Sequence, residues 1–249
     1  MNDPAAGGIA LGIPLYKEVK RQITDSLRHG EWKPGSAIPS EKVLSERFGV
    51  SIGTVRKAVD ELTAENLLIR HQGRGTYVAS HSRDRQFFYF FHIVHQDGEK
   101  EYPQVDLVQF GKGKADALEA GKLGIAPGAR VFRFANRLSI GGEPVIVDEI
   151  TLPESLFPGL TEKRLRERPS TLYHFYQQTY GVTVVRTEDR LRAVQANESH
   201  AGILGILPGD PLLLIVRTAL SYRDQPVEYR RSYVNTRNYE YFKETGSET

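Results

Sequence analysis

The feature that most constrains the fold is a pattern that occurs twice in the second half of the chain. Residues 120–128 read AGKLGIAPG, and residues 201–209 read AGILGILPG. Each copy precedes a β-rich run with a turn in its middle, GGEP at residues 141–144 and RDQP at residues 223–226. A helix, a Pro-Gly turn and a β-hairpin are therefore predicted twice. Two copies are too few for a solenoid, so the pattern indicates one domain with a pseudo-symmetric antiparallel sheet.

The first part of the chain has a different, helical pattern. Apolar side chains recur every four residues from Leu15 and stop before Gly30, which predicts an amphipathic helix. Ser40 and Ser51 are each placed to cap a further helix. Two short β-prone runs follow, joined by RHQGRG at residues 70–75. This order is typical of a winged helix-turn-helix, whose third helix enters the major groove of DNA.

The tip of the predicted hairpin reads GRGT at residues 73–76 and has three possible roles. A nucleotide-phosphate loop is disfavoured, because no GK[ST] follows and the next residues are β-prone where such a loop would open a helix. A purely structural turn is the second possibility. We interpret the tip as a wing, in which the glycines let backbone N–H groups and Arg74 approach phosphates or the minor groove.

Residues 14–78 resemble the DNA-binding domain of the GntR family of bacterial regulators. The resemblance lies in the string PSE…L…FGVS…TVR…A…L…L…GRGT, which spans nearly the whole segment. Members of this family read palindromic operators as dimers. The resemblance and the predicted helix starts together imply the following DNA-binding residues: Ser40, Lys42, Ser51, Ile52, Thr54, Arg56, Lys57, Gly73, Arg74 and Gly75.

Two of these positions depart from the pattern of the family. Lys42 stands where the family usually has Arg, so the charge is kept but the planar fork for guanine is lost. Ile52 also replaces a common Arg and could at most make an apolar contact, such as one with a thymine methyl group. Ile52 could equally be a helix residue that touches nothing. The departures put the operator bases in doubt, whereas DNA binding itself is still expected.

The second block resembles the UTRA effector domain of the HutC-type branch of the same family. The matching strings are LGIAPG, GEPVIVDEITLP, LFPGL, STLYHFYQQTYGV, LGILPGDPLL and PVEYRRSY. The resemblance implies a chorismate-lyase-like fold, which is an antiparallel sheet with flanking helices. It also implies a small, often anionic effector in the cleft and dimerisation through this domain. The whole chain is therefore expected to be an α+β protein.

These assignments divide the chain into four segments. Residues 1–12 are predicted to be a flexible tail, and residues 13–79 the winged helix-turn-helix domain. The polar segment 80–86 is predicted to be a linker and hinge. Residues 87–245 then form the effector-binding and dimerisation domain, and its aromatic run FFYFF at residues 87–91 is predicted to be a buried strand.

The resemblance places several effector-binding candidates in the second block. A helix is predicted over residues 170–180 with Ser170 as its N-cap, so hydroxyls and free N–H groups at its start could hold an anion. Acidic side chains from the two hairpins could hold hydroxyl or amino groups. A solvated strand face or an ordinary helix cap is the alternative reading for each residue. The candidates from the resemblance are Arg137, Asp148, Ser170, Thr171 and Glu228, and His92 in the string HIVHQD is added as a residue that could line the same pocket.

Arg137 is the weakest of these candidates. The family often carries Arg-x-Arg on the first hairpin, but Asn136 and Leu138 occupy those two positions here. A shift of one residue moves a side chain to the other face of a strand, so Arg137 is a poor substitute for either Arg. This difference weakens the case for a sugar phosphate as the effector.

Metal and redox chemistry find little support. The chain has no cysteine, which excludes disulfides, thiolate metal sites and cysteine nucleophiles. His92 and His95 have metal-like spacing with Asp97, but residues three apart on a strand point to opposite faces. We therefore expect neither a metal nor a cofactor.

The expected function is that of a ligand-responsive transcriptional repressor. We expect it to bind operator DNA as a homodimer, or as a dimer of dimers, and to release it when a small metabolite binds. Two alternatives are a C-terminal domain that serves only assembly and a chorismate-lyase-like enzyme, although no nucleophile-elbow motif or phosphate loop supports the latter. The start of the chain lacks a basic signal-peptide region and no run of about 20 apolar residues occurs, so a cytoplasmic location without membrane contact is expected.

Overall fold

The computed structural model describes residues 14–81 and 89–243. By its internal contacts the chain divides into two compact units, residues 1–80 and residues 81–249. The predicted tail and most of the predicted linker lie outside the described residues. Within the described ranges, no helix combines the length and apolar character needed to cross a membrane.

The first unit consists of three helices and a two-stranded hairpin. The helices are α1 (Leu15–Arg28), α2 (Glu41–Phe48) and α3 (Ile52–Ala64), and the antiparallel strands are β1 (Leu68–His71) and β2 (Gly75–Val78). The order confirms the predicted winged helix-turn-helix. Its core is formed by the apolar faces of all three helices, through Val19, Ile23, Leu27, Leu44, Val55, Ala58, Val59 and Leu62.

Local capping chemistry fixes where the two central helices begin and end. The Ser40 and Ser51 hydroxyls accept hydrogen bonds from the backbone N–H groups three residues later, at 3.4 and 3.2 Å. Each cap satisfies a donor that has no partner within its helix. Gly49 ends α2 in the left-handed region at φ 64°, a conformation that glycine adopts without steric cost. The local sequence therefore determines the turn between α2 and α3.

The second unit is built on a six-stranded antiparallel sheet with the order β4-β5-β6-β9-β8-β7. The strands of the sheet are β4 (Gln104–Lys114), β5 (Arg130–Ile140), β6 (Glu143–Pro153), β7 (Arg186–Gln195), β8 (Pro211–Leu220) and β9 (Pro226–Val234). A separate pair consists of β3 (Ile93–His95) and β10 (Tyr239–Tyr241). The helices are α4 (Ala117–Leu123), α5 (Glu162–Arg166), α6 (Leu172–Tyr180) and α7 (Glu198–Leu204).

The sheet confirms the internal repeat. Each half runs strand, helix, strand, strand, first as β4-α4-β5-β6 and then as β7-α7-β8-β9. The last strands of the two halves, β6 and β9, pair at the centre of the sheet. Both repeat helices begin at a side-chain cap, Asp116 or Asn197, and both end at a left-handed glycine, Gly124 or Gly205.

Helix α6 packs on one face of this sheet. Its Tyr173 and Tyr176 side chains are fully buried in the same core cluster as Phe132 and Phe157. The predicted strand at residues 87–91 is wrong for the part of that run that is described, because Tyr89 and Phe90 have helical backbone. Phe90 is still buried, since its ring packs edge-on against Tyr173 at a centroid distance of 5.1 Å. The aromatic run signalled burial but not strand geometry.

Candidate functional site

Helix α3 presents an exposed face opposite the face that it buries. Ile52, Arg56 and Lys57 lie on the exposed side, whereas Val55 and Val59 lie in the core. The predicted contact residue Thr54 is half-buried, and its hydroxyl lies 2.9 Å from that of Ser51. The recognition helix therefore offers side chains of three kinds, apolar, cationic and hydroxyl.

Arg56 is held at the junction between α2 and α3. Its Nε donates to Glu41 Oε2 at 2.9 Å, and the side chain remains 60% exposed. Glu41 Oε1 accepts a second hydrogen bond from Arg70 Nη2 at 3.0 Å, and Arg70 also pairs with Asp60. The Nη groups of Arg56 have no protein acceptor within residues 14–81, so the end of its guanidinium is available to DNA. Sequence reasoning missed Glu41 and Arg70, because their contact depends on how α2, α3 and β1 pack together.

The two candidate lysines have different surroundings. Lys57 Nζ lies 4.1 Å from the ring centroid of Tyr16, so a cation–π contact with α1 positions its ammonium group. Lys42, in the first turn of α2, is exposed and forms no ion pair with any described residue. Ser40, which caps the same helix, is also exposed. Of the two lysines, only Lys57 is therefore positioned by a contact with the described residues.

The predicted wing is the turn between β1 and β2. Gly73 and Gly75 have φ of +70° and +105°, where a side chain would be strained. The Arg74 N–H donates to the His71 carbonyl at 2.9 Å, and the Arg74 carbonyl accepts from the Tyr77 hydroxyl at 3.2 Å. The Arg74 side chain is exposed and has no acidic partner in the described part of the chain. The hydrogen-bonded backbone of this turn thus holds an exposed guanidinium that has no acidic partner among the described residues.

Arg74→Ala should weaken binding to every duplex by a similar factor, because a contact to phosphate carries no base information. The slope of log affinity against log salt should fall by about one. Fluorescence anisotropy between about 50 and 200 mM salt, on a duplex selected from a random library and on its scrambled form, measures both effects. Arg28→Ala removes the same charge from the end of α1 and serves as the matched control. An unchanged slope would argue against a phosphate contact.

The second unit contains a cavity of about 360 Å³ above the sheet. Strands β5, β6, β8 and β9 form its floor, and the segment that leads into α6 forms one wall. Four of the predicted effector residues line it, namely His92, Asp148, Ser170 and Thr171. Arg137 and Glu228 do not. The cavity is at the small end of ligand sites, which suits a metabolite rather than a peptide.

The prediction for Arg137 is corrected by the alternation of β5. Asn136 and Leu138 line the cavity, so the residue between them points to the other face of the sheet. There Arg137 Nη2 donates to Asp106 Oδ2 at 2.8 Å in an exposed pair.

The prediction for Glu228 is corrected by its burial beneath the cavity. Its side chain is 0% exposed and accepts hydrogen bonds from the Tyr173 and Tyr176 hydroxyls at 3.2 and 2.8 Å. It also accepts from Arg230 Nε at 2.9 Å and from Arg230 Nη2 at 3.0 Å. Glu228 therefore positions Arg230 and does not reach the cavity itself.

Arg230 links Glu228 to the floor of the cavity. Its Nη1 donates to Asp148 Oδ2 at 3.0 Å, and the Ser232 hydroxyl donates to Asp148 Oδ1 at 2.5 Å. Burial disfavours the charged form of Arg230, but the carboxylates of Glu228 and Asp148 outweigh burial and raise its pKa well above the ordinary value. Arg230 thus stays charged between two carboxylates.

A second buried pair closes the neighbouring end of the floor. Arg217 donates from Nε and Nη2 to the two Asp189 oxygens, each at 2.7 Å, and from Nη1 to the Phe90 carbonyl at 2.7 Å. Burial alone would raise the pKa of Asp189, but the hydrogen bonds and charge of Arg217 lower it. This pair is internally neutral. The charge of Arg217 is thus already balanced by Asp189, although two of its five N–H groups are not used in these three bonds.

His92 lies in the cavity as a neutral imidazole. Burial and the charge of Arg217 lower its pKa to about 4. Its ring packs against Tyr241 at a centroid distance of 5.1 Å. A neutral imidazole offers one donor and one acceptor, so His92 can recognise a polar group but does not bring a charge.

Arg168 is the cation of the cavity that lacks a counterion. Burial lowers its pKa, and the charge of Arg230 lowers it further. It donates to the Leu165 carbonyl, yet no carboxylate of residues 14–81 or 89–243 pairs with it. Its neighbour Arg166 differs, since that guanidinium is paired with Glu162. An anion in the cavity would relieve the unpaired charge of Arg168.

The start of α6 lies beside Arg168. Thr171, not the predicted Ser170, is the N-cap, and its hydroxyl accepts from the His174 N–H at 3.4 Å. Ser170 precedes the cap, its hydroxyl has no partner among the described residues, and both residues line the cavity. The N-terminal end of a helix favours negative charge.

Comparison with known proteins identifies both units. Residues 15–78 match the family of bacterial regulatory proteins, gntR family, and residues 99–240 match the UTRA domain. The chain belongs to the GntR family of regulators. The predicted family and α+β architecture are therefore confirmed, and this GntR protein is a transcriptional regulator and not an enzyme.

Two repressors are similar to this chain over most of their length, and one solved ligand-binding domain is similar to its second unit. A mannosyl-D-glycerate transport/metabolism system repressor of Escherichia coli (strain K12) is 29% identical over 232 residues, 92% of this chain and 94% of the relative. A histidine utilization repressor of Klebsiella aerogenes is 29% identical over 214 residues, 84% of this chain and 85% of the relative. The ligand-binding domain of a GntR-family regulator from Bordetella bronchiseptica has a TM-score of 0.59 and 30% identity, covering 62% of this chain and 96% of that structure.

Proposed function

We propose that this GntR regulator is a repressor that binds a two-fold operator as a homodimer and leaves it when a small anionic metabolite enters the cavity. The observation that carries the effector assignment is the unpaired guanidinium of Arg168 beside the start of α6. The relatives support repression, since two of them are named as repressors of mannosyl-D-glycerate metabolism and histidine utilization. The free ends of Arg56 and Arg74 support the DNA contacts.

The proposed reading of DNA uses the exposed candidates of the first unit. Arg56, Thr54 and Ile52 would face base edges from α3, and Ser51 and Lys57 would flank them. The remaining contacts would be to the backbone, through Ser40, Lys42, Gly73, Arg74 and Gly75. In a dimer the two α3 helices would enter successive major grooves about 34–36 Å apart.

Helix α6 provides a physical link from the cavity to the chain that enters the second unit. Its first residues line the cavity, and its middle holds His81, the residue after the end of the first unit. The His81 N–H donates to Gln177 Oε1 at 3.1 Å, and its carbonyl accepts from His174 Nδ1 at 2.7 Å. A ligand that displaces the start of α6 would also displace His81. His81 was predicted to lie in a polar linker, but it is buried because these contacts tie it to α6.

The control of DNA binding follows from linkage. A ligand shifts an equilibrium only by its difference in affinity between two states. If the effector prefers the arrangement that misplaces the recognition helices, it must weaken operator binding, and the operator must weaken effector binding by the same factor.

The function is tested with DNA selected from a random library and a thermal-shift screen of small metabolites. The selected sites should be inverted repeats that bind two chains. A ligand at 100 times its dissociation constant should stabilise the protein by about 2.7 kcal/mol, and the same ligand should release the selected DNA. Sites without two-fold symmetry would contradict the dimer. Ligands that stabilise the protein but leave DNA affinity unchanged would contradict effector control.

His174→Phe should uncouple the two sites while leaving each of them intact. The substitution keeps an aromatic ring on α6 but removes the donor to the His81 carbonyl. We expect unchanged affinities for DNA alone and effector alone, and a loss of about 2- to 30-fold in the factor by which effector weakens DNA binding. Anisotropy with and without saturating effector measures this factor. Gln178→Ala, on the exposed side of the same helix, is the control. An unchanged factor in His174→Phe would remove the His81 contact from the coupling route.

A further inference from the structure

The floor of the cavity carries a net negative charge, which complements the positive charge of Arg168. Asp148 and Glu228 are both buried, and both bind the single guanidinium of Arg230. Two carboxylates on one guanidinium leave one negative charge without a counterion. The neighbouring pair of Arg217 and Asp189 is neutral and does not change this balance.

Asn136 adds an unsatisfied acceptor to the same floor. Strand register places Asn136 opposite Asp148, and Asp148 opposite Ser232. Asn136 is 1% exposed and lines the cavity, and its Oδ1 has no hydrogen-bond partner in the described residues. A buried acceptor without a partner costs about 1–3 kcal/mol, so a ligand donor that reaches Oδ1 would remove this cost.

Apolar side chains flank the polar row on the floor. Leu138, Ile146 and Val234 line the cavity on the strands that carry the polar row, and Ile215 lies opposite Ser232. These side chains offer no hydrogen bonds, so the polar groups of a ligand have to face the polar row of the floor, His92, or Arg168 and the start of α6. Apolar neighbours lower the local dielectric, which strengthens the electrostatic interactions of a bound ion.

We propose that the effector is a zwitterion, an organic anion that also carries an ammonium or other charged N–H group. Its anionic group contacts Arg168 and the start of α6, and its N–H group donates to Asn136 and Asp148. This assignment rests on the proposed effector function and narrows it. The cavity then selects against simple dicarboxylates, because their second anion would meet Asp148, and against diamines, because their second cation would meet Arg168.

Matched compounds of equal length test this directly on the full chain. The probes are the common amino acids and the ω-amino acids from β-alanine to 6-aminohexanoate, with dicarboxylates and diamines of the same lengths. Glucose 6-phosphate represents anions without an ammonium group. We expect thermal stabilisation by one or more zwitterions. The desamino analogue and the amide of that compound should each bind about 10- to 100-fold more weakly in calorimetry.

Variants at the two ends should each lose selectivity for only one group. Arg168→Met should remove the preference for the carboxylate over its amide and keep the preference for the amino over the desamino compound. Asn136→Leu should do the reverse, with Asn136→Ala in its place if the larger side chain prevents folding. Arg164→Met, an exposed arginine of α5, is the control for Arg168→Met.

The outcomes separate this inference from the proposed function. If a dicarboxylate or glucose 6-phosphate stabilises the protein and releases DNA while all zwitterions are silent, the effector function stands and the zwitterion is wrong. If a zwitterion binds but both variants keep full selectivity, the assignment of its two ends is overturned. Silence of every compound overturns the zwitterion and also counts against control by a small metabolite.

Discussion

Arg56→Ala should abolish sequence-specific DNA binding while the first unit stays folded. The Arg56 side chain projects from the first turns of α3, and its Nη groups have no acceptor within residues 14–81, although Nε is fixed by Glu41. A bidentate contact from arginine to a base is worth about 1–3 kcal/mol of discrimination, and a dimer would lose it in both half-sites. The exposed pair with Glu41 contributes at most about 1 kcal/mol to folding. Arg56→Ala should therefore lower specific DNA affinity with little effect on the stability of the first unit.

Anisotropy on the selected duplex and on its scrambled form measures the loss. Arg56→Ala should bind the selected duplex and the scrambled duplex with nearly the same affinity. Arg56→Lys keeps the charge and loses the fork, so it should retain affinity for scrambled DNA but not the preference for the selected site. Arg28→Ala should behave like the unmodified protein. If Arg56→Ala keeps the ratio of the two affinities, Arg56 does not read bases, and Ile52 or Thr54 would have to carry the specificity.

The first unit was predictable because its signals are local. A serine cap, an apolar side chain at every fourth residue and a left-handed glycine each act within a few residues, so they can be read from the sequence one turn at a time. The contact of Glu41 with Arg56 was not predictable, since it joins residues 15 apart on two helices. The DNA-contact assignments themselves remain predictions until DNA is bound.

The cavity was only partly predictable because its chemistry depends on strand register. Asp148 and Arg230 are separated by 82 positions, and only the pairing of β6 with β9 brings them together. Alternation along β9 puts Glu228 and Arg230 on the same face of the sheet. This pattern is visible in PVEYRRSY, but the sequence does not show which face of the strand is buried. Arg168 gave no signal, because arginines in a charged segment such as RLRERP usually point to solvent.

Glu228→Ala should strongly destabilise the second unit and leave the first unit unaffected. The substitution removes the acceptor for two buried tyrosine hydroxyls and for two donors of Arg230. Removal of one partner from a buried, hydrogen-bonded ion pair costs about 3–5 kcal/mol. Asp148 still binds Arg230, but it reaches only Nη1. The expected loss is therefore near the upper end for a single substitution.

The two units can be followed separately in one urea titration. The chain has a single tryptophan, Trp32, buried in the first unit, so its fluorescence reports that unit. Near-ultraviolet circular dichroism of the tyrosines packed on the sheet reports the second unit. Glu228→Ala should move only the tyrosine transition to lower urea. Glu188→Ala, which removes an exposed carboxylate from β7, should shift it by no more than about 1 kcal/mol.

Effector affinity, compared with the unfolding midpoint from this titration, tests whether Glu228 acts only through Arg230. Because Glu228 is sealed beneath the floor, a ligand cannot touch it, and any loss of effector affinity must follow from a displaced Arg230 and Asp148. Effector affinity of Glu228→Ala, measured at a temperature where the second unit is still folded, should fall together with the unfolding midpoint. If Glu228→Ala and Glu188→Ala shift the unfolding midpoint equally, the Glu228 carboxylate is solvated. The floor would then not carry a net negative charge either.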